Sequence, residues 1–198
     1  DLNFLIPEMV NRTAFRKGPY RADRGDFSSA GSAEFRYYRK LPENMMQLTL
    51  GEYGYQRGLA AGSLELDAGT WTTAIDATID DGPWRLDENL RQYRVHSAFS
   101  TDPGASWSGR LALDGYRSRW DATDQIPERA VRSGLVSRNG FIDPDLGGDS
   151  SRWSINGSIA YDGWEANVYG IRYDFNLYSN FTYLLDDPVN GDQFHQFD

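Results

Sequence analysis

The side chains of this chain that could do chemistry are paired carboxylates, two histidines and a few arginines set beside aromatics. Asp80 with Asp81, Asp143 with Asp145, and Asp186 with Asp187 are the acid pairs a glycoside hydrolase would need, one to donate a proton and one to attack or to activate water. All three fall in segments that read as connections, where aspartates ordinarily serve as solvated turn formers. No Gly-x-Ser-x-Gly elbow and no supported Ser/His/Asp arrangement supplies a nucleophile, so the expectation is not an enzyme. Asp143, Asp145 and Asp149 have the oxygen density of a calcium loop, but Pro144 breaks the spacing and the distal glutamate is missing. His96 and His195 are far apart and lack nearby His or Cys partners, which argues against a transition-metal site. Gly25 to Gly31 lacks the Gly-Lys-Ser/Thr ending of a phosphate loop and reads as a place of close backbone packing. None of these features implies a cofactor.

The remaining candidates would bind rather than react. Trp84 lies beside Arg85 in a predicted loop and could stack on a sugar or a chelate. Arg129, Arg132 and Arg138 put positive charge on an otherwise acidic loop and could attract an anionic ligand. The plainer expectation is that they pair with Asp121, Asp124 and Glu128.

The elements that must position these residues are strands. In Thr70 to Asp80 the odd positions are Trp71, Thr73, Ile75, Ala77 and Ile79, while the even ones carry hydroxyls and the carboxylates of Asp76 and Asp80. Ser151 to Tyr161, Leu90 to Ser100 and Met45 to Glu52 alternate in the same way, and Tyr55 to Leu66 and Ala105 to Trp120 do so more weakly. His96 falls on the polar side of its strand. In Trp164 to Leu177 the apolar phase switches near Tyr169 and Gly170, which predicts a bulge. Tight turns are expected at Asp67 to Gly69, at Thr101 to Gly104 and at Asp162-Gly163. Long connections are expected at Asp81 to Asn89, at Asp121 to Ser150 and from Ser179 onward. Pro127 is placed to start a short helix over Glu128 to Arg132 that Gly134 stops. Short and long connections therefore alternate, apart from the short first hairpin near Tyr53-Gly54. A membrane β-barrel has turns on one rim and loops on the other. A β-sandwich has no such need, although it shares the strand alternation.

Bulk composition fits either. The chain has 198 residues, enough for one domain, and no cysteine. Its net charge of −9 argues against a nucleic-acid partner and against an amphipathic helix on anionic lipid. No apolar run of transmembrane-helix length occurs, and a mean hydropathy of −0.63 suits a soluble chain. A membrane barrel gives a similar average, because half of each strand faces a polar lumen. Aromatics make up 14% and glycines number 20, as a barrel with aromatic girdles or a carbohydrate-binding sandwich would have. No signal peptide opens the chain and Asp1 begins in mid-motif, so the N-terminus reads as a cut.

Three blocks carry a resemblance to a known family. Residues 3–41, NFLIPEMVNRTAFRKGPYRADRGDFSSAGSAEFRYYRKL, hold a short helical turn, a strand near Arg12 to Lys17, the Gly18-Pro19 turn and a closing strand from Ser32. Residues 122–131, ATDQIPERAV, are followed by Gly140 to Arg152, and residues 178–198 read YSNFTYLLDDPVNGDQFHQFD. In this order the chain resembles a proteobacterial TonB-dependent outer-membrane receptor. The resemblance implies an all-β fold: residues 1–42 as the end of a plug domain, and residues 43–198 as about seven antiparallel strands of an incomplete transmembrane barrel. It implies energy-dependent uptake of a scarce ligand such as an iron-siderophore, haem, cobalamin or an oligosaccharide across a Gram-negative outer membrane. The implied partners are outer-membrane lipid, the ligand, and an inner-membrane TonB-type protein that acts through a region outside this chain. The family's TonB box and most of its plug are not in the sequence. The rival expectation is a secreted β-sandwich carbohydrate-binding module.

Overall fold

The computed structural model describes residues 2–18, 30–101, 107–123, 125–182 and 185–198. The chain is all-β. A 3₁₀ turn at Pro7–Met9 leads into β1 (Val10–Lys17), which pairs antiparallel with β2 (Gly31–Tyr37). The rest is one antiparallel sheet: β3 (Met45–Leu50), β4 (Gln56–Leu66), β5 (Gly69–Asp80), β6 (Leu90–Ser100), β7 (Trp107–Asp121), β8 (Gly147–Tyr161), β9 (Trp164–Ser179) and β10 (Asp192–Phe197). Every strand lies beside its neighbours in sequence, so the sheet is a plain meander with β3 and β10 at its edges.

The turns set the registers. Asp162 and Gly163 both have positive φ (46° and 80°), the geometry of a two-residue hairpin turn whose twist matches the strands, and Tyr161 pairs with Trp164 across it. The Asp67-Ala68 connection is equally short and pairs Leu66 with Gly69. Residues 102–104 of the third expected turn lie outside the described residues. The long connections at 81–89, 122–146 and 180–191 all leave from the opposite end of the sheet, as does the short turn between β3 and β4. One end is thus compact and the other is built of loops. The short helix α1 (Glu128–Arg132) forms inside the longest of them, with Gly134 at φ 74° just beyond it.

The structure corrects the sequence reading at two points. The tail from Ser179, expected as a loop, returns as β10 and pairs with β9 from Asp192↔Ser179 to Phe197↔Asp174, making an eighth strand in this sheet. The expected bulge near Tyr169 and Gly170 is absent, since β8 and β9 pair without a break from Gly147↔Tyr178 to Tyr161↔Trp164. The phase switch has another cause. Trp164, Ala166 and Val168 lie on the apolar face, and beyond Gly170 that same face carries Arg172, Asp174 and Asn176. The strand keeps its geometry and runs out of the apolar belt.

The burial pattern is inverted relative to a water-soluble sheet. On β5, Thr72, Ala74, Asp76 and Thr78 are buried, while Trp71, Thr73 and Ile75 on the other face are exposed. Register carries this division across the sheet, because directly paired residues share a face. The open face presents Met46, Leu48 and Leu50 of β3, Leu64 of β4, Leu111 and Leu113 of β7, and Ile155 and Ile159 of β8; Met46 is 89% exposed. The covered face holds mostly polar residues, and the N-terminal segment lies on it. Ile6 and Met9 of that segment join Leu41, Leu59, Ala61 and Ala74 in the main buried apolar cluster.

Candidate functional site

The densest chemistry lies where the N-terminal segment meets the covered face. Asp76 of β5 is fully buried among apolar and polar neighbours, a position where a lone carboxylate would be very costly. It is held by two guanidinium groups. Arg57 donates from Nε to its Oδ2 at 2.6 Å, and Arg94, its direct cross-strand partner, donates from Nη1 to Oδ1. Arg57 then turns its remaining nitrogens outward and grips Glu8 of the 3₁₀ turn in a bidentate pair, Nη1 to Oε1 at 2.7 Å and Nη2 to Oε2 at 2.9 Å. Arg94 donates from Nε to the carbonyl of Asn3 at 2.5 Å and from Nη2 to Gln92. A charged ladder thus runs from the sheet into the segment that covers it. The Arg57 guanidinium holds the Glu8 carboxyl below its ordinary value of 4.5, outweighing the opposing effect of burial.

A second cluster lies beside the first. His96 Nδ1 is 2.7 Å from Asp114 Oδ1, and its Nε2 faces Arg110 at 3.5 Å. A guanidinium only donates, so this arrangement places the imidazole proton on Nδ1, directed at Asp114. The Tyr37 ring meets His96 edge-on with centroids 4.8 Å apart, and its hydroxyl accepts from the Ile6 amide at 2.8 Å. Burial pushes the Tyr37 phenol up to about 12. Arg152 stacks over the Phe4 ring at 4.0 Å. These groups border a groove of about 470 Å³ between the N-terminal segment and β6 to β9. Further along, Thr72 donates to the Arg39 carbonyl at 2.5 Å, and Ser63 accepts from the Leu41 amide at 2.9 Å. The arrangement seats a peptide segment on a polar wall through charge and hydrogen bonds.

The residues expected to bind ligand sit elsewhere, on the loop end. Trp84 donates from Nε1 to Glu88 at 2.7 Å, and Arg132 pairs with Glu128 at 2.7 Å, one helical turn away. Arg85, Arg129 and Arg138 are exposed. The two loops that carry these residues are joined by the backbone bond from Arg85 N to Asn139 O at 2.8 Å and by Asn139 Nδ2 to the Pro83 carbonyl at 3.4 Å. The structure therefore brings Trp84, Arg85 and Arg138 to adjoining loops, while Arg129 and Arg132 stand on α1. Among the carboxylates of the calcium-like run, Asp143 accepts from the Asp145 amide and Asp149 accepts from Asn176, and Asp145 is exposed. Asp124 lies outside the described residues.

Sequence reasoning placed His96 on the polar side of its strand but missed Glu8, Arg57, Asp76 and Arg94 as a unit. A signal was present. The Asp67-Ala68 turn fixes the register of β4 on β5, which places Arg57 opposite Thr78 and diagonal to Asp76. Fold and site together define an antiparallel sheet whose polar face is covered by its own N-terminal segment and whose apolar face is open. No protein-family model matches the chain, and neither a curated protein nor a solved structure matches it.

Proposed function

We propose that this chain is part of a TonB-dependent outer-membrane receptor, with residues up to 42 as the end of the plug and the eight-stranded sheet as part of the barrel wall. The observation that carries the reading is the inversion of the sheet, apolar where it is open and polar where it is covered. Lipid is the solvent that rewards such a face. Aromatic side chains border the open face in support. Near the compact end Trp71 pairs with Phe99, and Trp107, Tyr161 and Trp164 lie side by side. Toward the loop end stand Tyr93 and Trp153. The nine residues from Trp153 to Tyr161 span about 27 Å along the strand, and tilting by about 40° reduces this to a height of about 20 Å, close to the apolar band of a transmembrane barrel. A sandwich would instead need a second sheet on the apolar face, and the described residues put the two-stranded β1–β2 pair on the other side.

On this reading the covered face is the barrel lumen and the charged ladder seats the plug. The loop end faces outward, where Trp84, Arg85, Arg129, Arg132 and Arg138 would meet a scarce ligand such as an iron-siderophore, haem, cobalamin or an oligosaccharide. Uptake then proceeds by binding and gating, driven by an inner-membrane TonB-type partner. The edges of β3 and β10 require further strands for closure, because an open edge is untenable in lipid; plugged transporter barrels have about 22. The test is to express the complete coding sequence that contains this chain in a Gram-negative host and fractionate the membranes. Recovery in the outer membrane, with electrophoretic mobility that changes on boiling, supports the reading. A soluble, monodisperse product overturns it.

A further inference from the structure

The covered face is not polar throughout. Directly paired residues cross it in rows, and nearest the loop end Trp120, Gly148 and Leu177 share one row while Ser150, Phe175 and Gln196 share the next. Arg152 with Tyr173, Ser154 with Ile171 and Asn156 with Tyr169 follow toward the compact end. The β9 side of these rows is therefore a column of rings and aliphatic side chains, and its β8 side offers hydroxyls and an amide. The N-terminal segment leaves the column open: Tyr169 is 70% exposed and Phe194 of β10 is 50% exposed.

The rings form a platform. Gly148 makes room for Trp120, since a Cβ there would stand 2.8 Å from the indole. The Trp120 and Phe175 rings have centroids 6.3 Å apart and planes 29° apart, and those of Tyr173 and Phe175 lie 6.2 Å and 9° apart. Phe194 meets Phe175 at 60° and borders the platform on the β10 side. Toward the compact end the column runs beside the groove of about 470 Å³, where Ser154, Asn156, Ser158 and Asn167 offer hydrogen bonds. Arg152 is the one charged residue that β8 and β9 place in these rows, and its guanidinium is stacked on Phe4.

We propose that Trp120, Tyr169, Tyr173 and Phe175 hold a neutral oligosaccharide, with its sugar rings flat on the aromatic column and its hydroxyls bonded to the serines and asparagines beside it. The inference rests on the receptor reading above and chooses among its ligands. A pyranose has a flat C–H face and a rim of hydroxyls, so it is matched by rings and amides side by side. Charge complementarity favours a neutral occupant, because the column presents rings where an anionic chelate would need cations. Haem would need an axial ligand, but His195 is on the opposite face and His96 is buried against Asp114. A purely apolar ligand would take water from the hydroxyls and amides and return no hydrogen bonds.

The test uses the product of the complete coding sequence, purified in a detergent without a sugar headgroup. It is titrated calorimetrically with maltohexaose, cellohexaose, xylohexaose and mannohexaose, and with haemin and ferric citrate. The expected result is saturable binding of at least one hexaose, weakened about tenfold in Tyr173→Ala and in Phe175→Ala. Tyr173→Phe, which keeps the ring, and Trp164→Ala, on the opposite face, retain binding. Electrophoretic mobility that still changes on boiling shows that each variant is folded. A product that fractionates to the outer membrane but binds no hexaose overturns the inference and leaves the receptor reading standing. Binding of haemin or ferric citrate that is lost in the same two variants does the same. Failure of Tyr169→Cys and Tyr173→Cys to react with a water-soluble maleimide would show that another part of the protein covers the rings, and would also overturn it. A soluble, monodisperse product overturns the receptor reading and the uptake role together.

Discussion

Asp76 is the residue on which the seating of the N-terminal segment turns. Its burial is tolerable only because Arg57 and Arg94 both reach it, and Arg57 in turn is the link to Glu8. Removing one member of such a buried cluster strands the others, at a cost of about 3–5 kcal/mol. Asp76→Asn is accordingly expected to lower stability by about 3 kcal/mol in urea unfolding of the lipid-embedded protein. Glu65→Gln, which breaks the exposed pair with Lys40, is expected to cost about 0.5 kcal/mol or less. A comparable loss in both variants would contradict the assignment. The pH dependence follows from the two groups that the segment contributes. Glu8 is held below 4.5 by Arg57, so its contribution is present at neutral pH and disappears as acid protonates it below that value. Tyr37 is neutral when seated; its contribution is intact below 10.0 and is lost as pH rises through about 12. A nitroxide on Asn11→Cys should therefore report the segment immobile at neutral pH and mobile at both extremes. A flat profile would sink this account of how the segment is held.

At the scale of the element, the strands were legible because each repeats a period of two and ends in turn residues. The alternation over Leu90–Ser100 matches both ends of β6, and the expected bounds of the other strands from β3 to β9 lie within a few residues of those found. β10 was not legible, since Asp192 to Phe197 has weak alternation and gains its structure by pairing with β9. The supposed bulge misled because a polar run on the open face looks the same, in sequence, as a change of register. Glycine positions are a further feature that only the fold explains. A Cβ at Gly115 would stand 2.5 Å from the Trp153 ring and 2.8 Å from Val95, whereas one at Gly58 would meet nothing within 4 Å. Gly115→Ala is thus expected to destabilise by about 1–3 kcal/mol through overpacking and to shift the tryptophan emission. Gly58→Ala is expected to be neutral or to stabilise by about 0.5 kcal/mol, as it only stiffens the unfolded chain. The reverse order would show that Trp153 does not lie across β7.

For the whole molecule, the alternation of short and long connections was visible in the sequence and recurs as a compact end and a loop end. Which face is covered was not visible. Alternation divides a strand into two faces but does not say which one meets its own chain, and a sandwich and a membrane wall make opposite choices. The seating of Glu8 on Arg57, 49 residues away, shows which face meets the N-terminal segment. The Asp67-Ala68 turn already sets Arg57 beside Asp76, but the reach of Arg57 to Glu8 spans 49 residues and no local pattern displays it. The central claim is that the open face meets lipid, and the absence of cysteine makes it directly testable. Single nitroxide-labelled cysteines would be placed along β5 from Trp71 to Ile79 in the lipid-embedded product of the complete coding sequence. Collision rates would then be measured with oxygen, which partitions into lipid, and with a water-soluble nickel chelate. The account predicts that Thr73, Ile75 and Ala77 are open to oxygen and shielded from nickel, while Thr72, Ala74 and Asp76 are shielded from both. Free access of nickel to the first set, or shielding of both sets from both reagents as in a sandwich core, would contradict it.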